Sequence, residues 1–334
     1  MRMKALLAVA ALLSFIASSG AVSCQSAQQS FSGKTEALTI GSAPLESSAL
    51  VYIAEDQKFF AENGLDVTIR GYDTGAAAFN GMLKQEVDIS IPAEYPLVGA
   101  AFKGEKVRAI ASIAESQYFS VVGRKDRGVQ TIADLKGKRI GVVQKTIAEF
   151  YLGRFLLLHG ISPADVTMVN TNLADSEVAI MGGGLDAIVI RPPQLSSVEQ
   201  RLGPNGVSWP AQSSQALYAI MIGRTDWISA HPDVVKRLLK ALSRAEKFAI
   251  ERPGDAQAIV QKRLSLDDTH MATVWSQNQF SLQLDQSLIL AMEDEARWMI
   301  ANGLTHEIHV PNYTDYICED ALKTVKPEAV KIIR

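Results

Sequence analysis

The sequence predicts an α/β protein built as two doubly wound lobes, joined by a two-segment hinge, with helices added at the C-terminus. Three observations carry this. Short apolar runs alternate with amphipathic stretches from Leu38 onward, the rhythm of a largely parallel sheet flanked by helices. A set of landmarks then returns roughly one hundred residues later, as a doubled unit would require. Finally, 334 residues with 47% hydrophobic and 21% charged side chains is the length of about two globular domains.

The elements follow in order. Arg2 and Lys4 precede an apolar run from Ala5 to Ala17, and no acidic residue appears before Glu36. That pattern is a secretory leader over residues 1–23, too short to cross a bilayer comfortably. Leu38 to Gly41 reads as a strand. Ala49 to Asn63 reads as a helix capped by Ser47 or Ser48 and stopped by Gly64. Leu65 to Arg70, Val87 to Ile91 and Val107 to Ile113 read as strands. Gly75 to Lys84 and Ala93 to Lys103 read as helices between them.

The repeat is visible residue by residue. Ile40-Gly41 returns as Ile140-Gly141, and Val87-Asp88-Ile89 as Leu185-Asp186-Ala187. Gly64-Leu65-Asp66-Val67-Thr68 returns as Gly160-Ile161 followed by Asp165-Val166-Thr167, and Pro92 as Pro192. Ile40 precedes Asp88 by 48 residues, and Ile140 precedes Asp186 by 46. Ala187 to Ile190 is then a strand, and Ala216 to Gly223 an apolar strand running back. Pro232 to Glu251, Asp255 to Leu264, Thr269 to Gln279, Gln286 to Asn302 and Tyr313 to Thr324 supply helix, with Gly303 stopping one of them. The chain therefore divides into lobe 1 (37–117 and 217–334) and lobe 2 (118–216). Two crossings make a hinge, and the cleft between lobes is the place for a ligand.

Composition excludes several functions. Lys plus Arg is 33 against 36 for Asp plus Glu, a net charge of −3, and aromatics are 7%. No basic or base-stacking surface for nucleic acid is expected. His306-Glu-Ile-His309 lacks the H-E-x-x-H spacing, Gly182-Gly-Gly184 lacks the residues of a phosphate loop, and no G-x-S-x-G elbow exists. Neither a metal nor another cofactor is expected.

Ala21-Val22-Ser23-Cys24 resembles the lipobox of bacterial lipoproteins, with Ala21 where that box usually has Leu. Lipidation at Cys24 would anchor the chain through the polar tether at 24–36; cleavage by an ordinary signal peptidase is the alternative. Both place the body outside the cytoplasm, free or held to the membrane by lipid. Cys318 is the only other cysteine, and no disulfide between the two is expected.

A longer series resembles a known family. It runs through Gly41-Ser-Ala-Pro-Leu-Glu-Ser-Ser-Ala-Leu-Val-Tyr-Ile-Ala54, Lys58-Phe-Phe-Ala-Glu-Asn-Gly-Leu-Asp-Val67, Glu86-Val-Asp-Ile-Ser90 and Ala133-Asp-Leu-Lys-Gly-Lys-Arg-Ile-Gly141. Tyr151-Leu-Gly, His159-Gly-Ile, Asp165-Val-Thr and Leu185-Asp-Ala-Ile continue it. These residues, within 38–250, look like the substrate-binding proteins of ABC importers for nitrate, aliphatic sulfonates and taurine. Thiamine-precursor binders are relatives. The resemblance implies a monomer with the type II periplasmic binding fold that closes on a small solute, hands it to an ABC permease and performs no chemistry. A pyrimidine-making enzyme of this fold family relies on a cysteine-rich stretch that this chain lacks.

In such folds ligands meet strand carboxyl ends and helix amino ends, where free N–H groups suit anions. That selects five loops and their candidates: Leu45, Glu46 and Ser47; Thr74 and Gly75; Glu94 and Tyr95; Lys145 and Thr146; and Arg191. The cations favour a sulfonate, nitrate or related anion. Glu46, Glu94 and Glu149, if they face the cleft, favour an amine or a nitrogen heterocycle. The tryptophans lie outside these loops, which speaks against ring stacking. An exported enzyme on the same scaffold would need a nucleophile, base or metal in the cleft.

Overall fold

The computed structural model describes residues 32–192 and 194–333. The leader at 1–23, Cys24 and the first part of the tether lie outside the described residues.

The strands of the two main sheets are β1 (Glu36–Ser42), β2 (Leu65–Gly71), β3 (Ile89–Ile91), β4 (Val107–Ser116), β5 (Ser120–Arg124), β6 (Arg139–Val142), β7 (Thr167–Asn170), β8 (Ala187–Ile190), β9 (Gly206–Pro210), β10 (Leu217–Arg224) and β11 (Asn278–Gln279). The helices are α1 (Ala49–Asp56), α2 (Phe59–Glu62), α3 (Gly75–Leu83), α4 (Tyr95–Phe102), α5 (Ile147–Leu158), α6 (Leu173–Met181), α7 (Gln194–Leu202), α8 (Thr225–Ala230), α9 (Pro232–Glu251), α10 (Pro253–Leu264), α11 (Asp268–Ser276), α12 (Gln286–Ala301) and α13 (Asp320–Val325).

Six strands form one sheet in the order β11-β4-β10-β3-β1-β2, and five form another in the order β7-β6-β8-β5-β9. The doubled sequence is a doubled structure. β1 lies parallel between β2 and β3, as β6 lies parallel between β7 and β8. Each trio then takes an antiparallel neighbour that belongs elsewhere in sequence, β10 beside β3 and β5 beside β8. The sheets are therefore mixed rather than largely parallel, because each receives the strand that returns from a crossing.

The repeated landmarks have one physical cause in both units. The Asp88 carboxylate accepts from Thr39 N–H at 2.8 Å, and the Asp186 carboxylate accepts from Arg139 N–H at 3.0 Å. Each aspartate also donates its own N–H to the carbonyl of that same residue. The aspartates thus clamp the start of the third strand to the first. A Cβ on Gly41 would meet Val87 at 2.9 Å, and one on Gly141 would meet Leu185 at 2.5 Å. Glycine recurs because an apolar side chain just before each aspartate packs against bare backbone.

Two crossings join the units, Gln117–Phe119 between β4 and β5 and Ala211–Ala216 between β9 and β10. Gln212, 2% exposed, ties them together. Its Oε1 accepts from the N–H groups of Tyr118 (2.7 Å) and Phe119 (2.9 Å), and its Nε2 donates to Ser116 O (2.9 Å) and Gln215 O (3.0 Å).

Several boundaries differ from the sequence expectation. The helix expected over 49–63 breaks at Lys58, which takes a left-handed φ of 59° and separates α1 from α2. Ser48 does not cap α1 with its side chain; its Oγ hydrogen-bonds Ser42 Oγ at 2.8 Å. The helix expected to reach Gln279 ends at Ser276, because Asn278 and Gln279 pair with Glu115 and Ser116 at the sheet edge. The stretch from Tyr313 divides into a tight turn at Tyr313–Tyr316 and the short α13.

Candidate functional site

Between the two sheets lies a cavity of about 450 Å³. The β1–α1 loop contributes Leu45 and Ser47, α3 contributes Gly75 and Phe79, and the β3–α4 segment contributes Ile91 and Tyr95. From the other unit come Tyr118 and Phe119 of the first crossing, Lys145 and Thr146 before α5, and Arg191 after β8. Leu217 and Ala219 of β10 and Met299 of α12 complete the lining.

Local sequence builds each wall. Thr74 has extended backbone, and its Oγ1 accepts from Ala77 N–H at 3.0 Å, so α3 starts where its cap dictates. Gly75 follows because a Cβ there would meet Pro92 Cα at 2.9 Å. Across the cavity, Thr146 Oγ1 donates to Val143 O at 2.6 Å and accepts from Ala148 N–H at 3.2 Å. Lys145 is held at a left-handed φ of 59°, its N–H bonded to the Glu149 carboxylate at 2.7 Å. A lysine in that region is strained and persists because its neighbours over-determine it.

Arg191 is the half-buried cation of the cavity. It donates to Pro192 O at 3.1 Å and lies 5.8 Å from the Tyr118 ring centroid. It forms no ion pair with a carboxylate among the described residues. Tyr118 is raised above the ordinary phenol range, first by burial, with Arg191 opposing and the charges of Glu46 and Glu94 adding.

Seven of the ten sequence candidates line the cavity: Leu45, Ser47, Gly75, Tyr95, Lys145, Thr146 and Arg191. The other three do not. Thr74 is spent on its cap. Glu46 turns to α11, where its carboxylate lies 3.5 Å from His270 Nε2. Glu94 is fully buried behind the cavity floor, its Oε2 accepting from Tyr218 N–H at 3.0 Å.

Glu94 is half of a buried acid pair. Glu295 of α12 is also fully buried and adjoins it. Burial pushes Glu94 up to about 7 and Glu295 well above the carboxylate range. Glu94 Oε1 and both Glu295 oxygens receive no donor from any other group among the described residues. A proton held between the two carboxyls pairs Glu94 Oε1 with one Glu295 oxygen and leaves the other Glu295 oxygen without a donor among the described residues.

Sequence reasoning missed Phe79, Asn80, Phe119, Leu217, Ala219 and Met299 among the lining residues. Phe79 had a signal, since it lies one helical turn beyond Gly75. Met299 had none, because nothing in the chain before it announces that α12 packs on α4.

Two mixed sheets joined by two crossings around an interposed cavity are the periplasmic binding protein fold. Residues 46–256 match the family described as NMT1/THI5 like, and the chain belongs to that family. The alkanesulfonate-binding protein SsuA of Xanthomonas axonopodis pv. citri, solved bound to MOPS, shares the fold with a TM-score of 0.71. It is 17% identical, over 86% of this chain and 99% of that one. A Brucella abortus protein described no further than as a candidate binding protein is 24% identical over 230 residues, 68% of this chain and 70% of its own. A 4-amino-5-hydroxymethyl-2-methylpyrimidine phosphate synthase of Saccharomyces cerevisiae is 23% identical over 219 residues, 61% and 63% of the two chains.

Proposed function

We propose that this protein is an extracytoplasmic solute-binding protein that captures a small organic anion between two lobes and delivers it to an ABC permease. The observation that carries the reading is Arg191: a half-buried guanidinium without a carboxylate partner among the described residues, set over Tyr118 in an otherwise largely apolar cavity. A half-buried cation in such a site attracts an anion from solution. The apolar and aromatic walls add affinity for a carbon body rather than for bare nitrate. An organosulfonate has both features, in keeping with the fold shared with SsuA.

The lobes in this reading are 37–117 with 217–334, and 118–216, hinged at the crossings that Gln212 ties. Ligand contacts from both sides favour the closed form, which the permease reads. The lipid anchor at Cys24 would hold the protein at the membrane, and a monomer suffices for the mechanism.

A nitrogen heterocycle is the second reading, favoured by the rings of Phe79, Tyr95, Tyr118 and Phe119 on the lining and by the pyrimidine chemistry of the yeast relative. Binding without turnover is part of this reading, in keeping with the fold shared with the alkanesulfonate-binding protein SsuA.

Calorimetric titration after partial unfolding and refolding, to strip carried-over ligand, tests this. The panel is nitrate, taurine, alkanesulfonates, MOPS and a hydroxymethylpyrimidine. Saturable binding of a sulfonate with one-to-one stoichiometry, weakened at least tenfold by Arg191→Ala, is expected (about 1.4 kcal/mol or more). Binding of the pyrimidine alone, indifferent to Arg191→Ala, would overturn the anion reading. Consumption of the bound compound would make the protein an enzyme.

A further inference from the structure

The cavity does not end at α4. A second cavity of about 530 Å³ adjoins it, and five residues line both: Tyr95, Gly99, Lys103, Lys145 and Met299. The residues shared by the two linings thus include two lysines, both exposed, and no acidic residue, although the Glu149 carboxylate accepts from Lys145 N–H nearby. Lys103 sits at the carboxyl end of α4, against the first sheet's unit, and Lys145 precedes α5 in the second. Neither ammonium has a hydrogen bond or ion pair among the described residues. Two like charges brought to one passage from opposite sides repel each other, and an anion between them reverses the sign of that interaction.

We propose that the two chambers form one site, and that its ligand is an organic molecule with two separated acidic groups. One group meets Arg191 in the inner chamber, and the other sits between Lys103 and Lys145 at the junction. This rests on the organic-anion reading and narrows it to a class: a ring or short apolar chain bearing sulfonate, carboxylate or phosphate at both ends.

The distribution of the other charges agrees. Arg191 lines the inner chamber alone, so the two cationic positions are distinct. Glu105 lines only the inner chamber, and Glu307, next to His306, only the outer one. Neither lines both chambers, and Glu149, which lines neither, spends one carboxylate oxygen on Lys145 N–H. The inner chamber that carries Arg191 is lined largely by apolar and aromatic residues, Ile91, Phe119, Leu217 and Tyr95 among them. Nitrate or a two-carbon sulfonate would leave most of this space to water. The backbone adds a second, independent mark. Lys145 bears a left-handed φ, held by the bond from its N–H to the Glu149 carboxylate, a strained conformation at a residue shared by both chambers.

The test is calorimetry on the full chain with matched pairs: benzenesulfonate against 4-sulfobenzoate, and naphthalene-2-sulfonate against naphthalene-2,6-disulfonate. In each pair the doubly acidic compound is expected to bind roughly tenfold tighter or more. That ratio should fall toward one in Lys103→Gln and in Lys145→Gln, and return in Lys103→Arg. Lys145→Gly keeps the left-handed backbone while removing the ammonium, so it should behave as Lys145→Gln does. Equal affinities within both pairs for the wild-type protein, or a ratio that survives in the Lys103→Gln/Lys145→Gln double variant, would overturn the two-acid proposal while leaving the organic-anion reading intact. A panel in which no sulfonate binds overturns both.

Discussion

Replacing Glu94 by Gln tests the physics of the cavity floor without reference to any ligand. Two carboxyls buried side by side hold their protons to unusually high pH, Glu94 up to about 7. In the unfolded chain both ionise near the ordinary value of about 4.3. The folded state therefore binds more protons than the unfolded state across this interval. The stability this gives is complete below about pH 4.3 and is lost as pH rises through the folded value. For Glu94 the whole interval corresponds to roughly 3.7 kcal/mol, at 1.36 kcal/mol for each pH unit, about 1 kcal/mol of it lost by pH 5 and the rest by pH 8. Glu295, raised in the same direction, adds to the loss.

The carboxamide introduced by Glu94→Gln would keep the acceptor for Tyr218 N–H and would offer Glu295 a permanent donor. The variant is therefore expected to match the wild type near pH 5 and to exceed it at pH 8, by roughly 3 kcal/mol or about 5–10 °C in Tm. Thermal melts at pH 5, 6, 7 and 8 on both proteins give the comparison. Asp126, Asp134 and Asp186, all held low by hydrogen bonds or ion pairs, lose their contribution only as pH falls below about 4 and stay out of this window. Glu115, raised by burial, shifts both proteins alike. Parallel curves for the two proteins between pH 5 and 8 would refute the reasoning, since Glu94 would then titrate no differently in the folded and unfolded chains.

Two further perturbations probe the joins between the units. Gln212→Ala strips four hydrogen bonds from the crossings and leaves the Tyr118 and Phe119 N–H groups without their acceptor; it should cost about 2–3 kcal/mol and speed hydrogen exchange at those two amides, and unaltered exchange there would show that Gln212 does not hold the crossings. Gly153→Ala places a Cβ inside the van der Waals envelope of the Trp298 ring, forcing α5 and α12 apart at a cost of about 1–3 kcal/mol; a melt and a tryptophan emission spectrum identical to the wild type would show that the contact yields freely.

Much of this fold was readable from residues whose local cause is strong. The aspartate clamp and its glycine partner recur because two parallel strands need the same lock twice, so Ile40-Gly41 with Asp88 and Ile140-Gly141 with Asp186 announced the doubling. Strand ends and caps then located most cavity loops. Failures came where a side chain had a choice that only packing decides. Glu94 follows a strand end just as Arg191 does, yet it turns inward to Tyr218 N–H and Glu295. Glu46 lies between two lining residues and faces His270 instead. Lys58 interrupts an amphipathic run with no glycine to mark the turn. The antiparallel exchange of β5 and β10 is long-range pairing, and no local pattern encodes it.

The acid pair, part of the cavity lining and the contact between units meet on one element. Glu295, Trp298 and Met299 occupy positions i, i+3 and i+4 of α12, one face of the helix. Glu295 shares its proton with Glu94, whose neighbour Tyr95 lines both chambers. Trp298 packs edge-on against Phe150 of α5, with ring centroids 6.2 Å apart, and fills the space that Gly153 leaves. Met299 reaches both chambers. This helix lies beyond residue 256, where the family match ends. The doubled core thus supplies the loops that the family shares, while a helix outside that match wedges between α4 and α5. Because α12 is a single rigid rod, a substitution that moves it at Trp298 must also shift Met299 within the cavity and Glu295 against its partner. Cavity shape, inter-unit packing and the proton of the acid pair are therefore one coupled property of this chain.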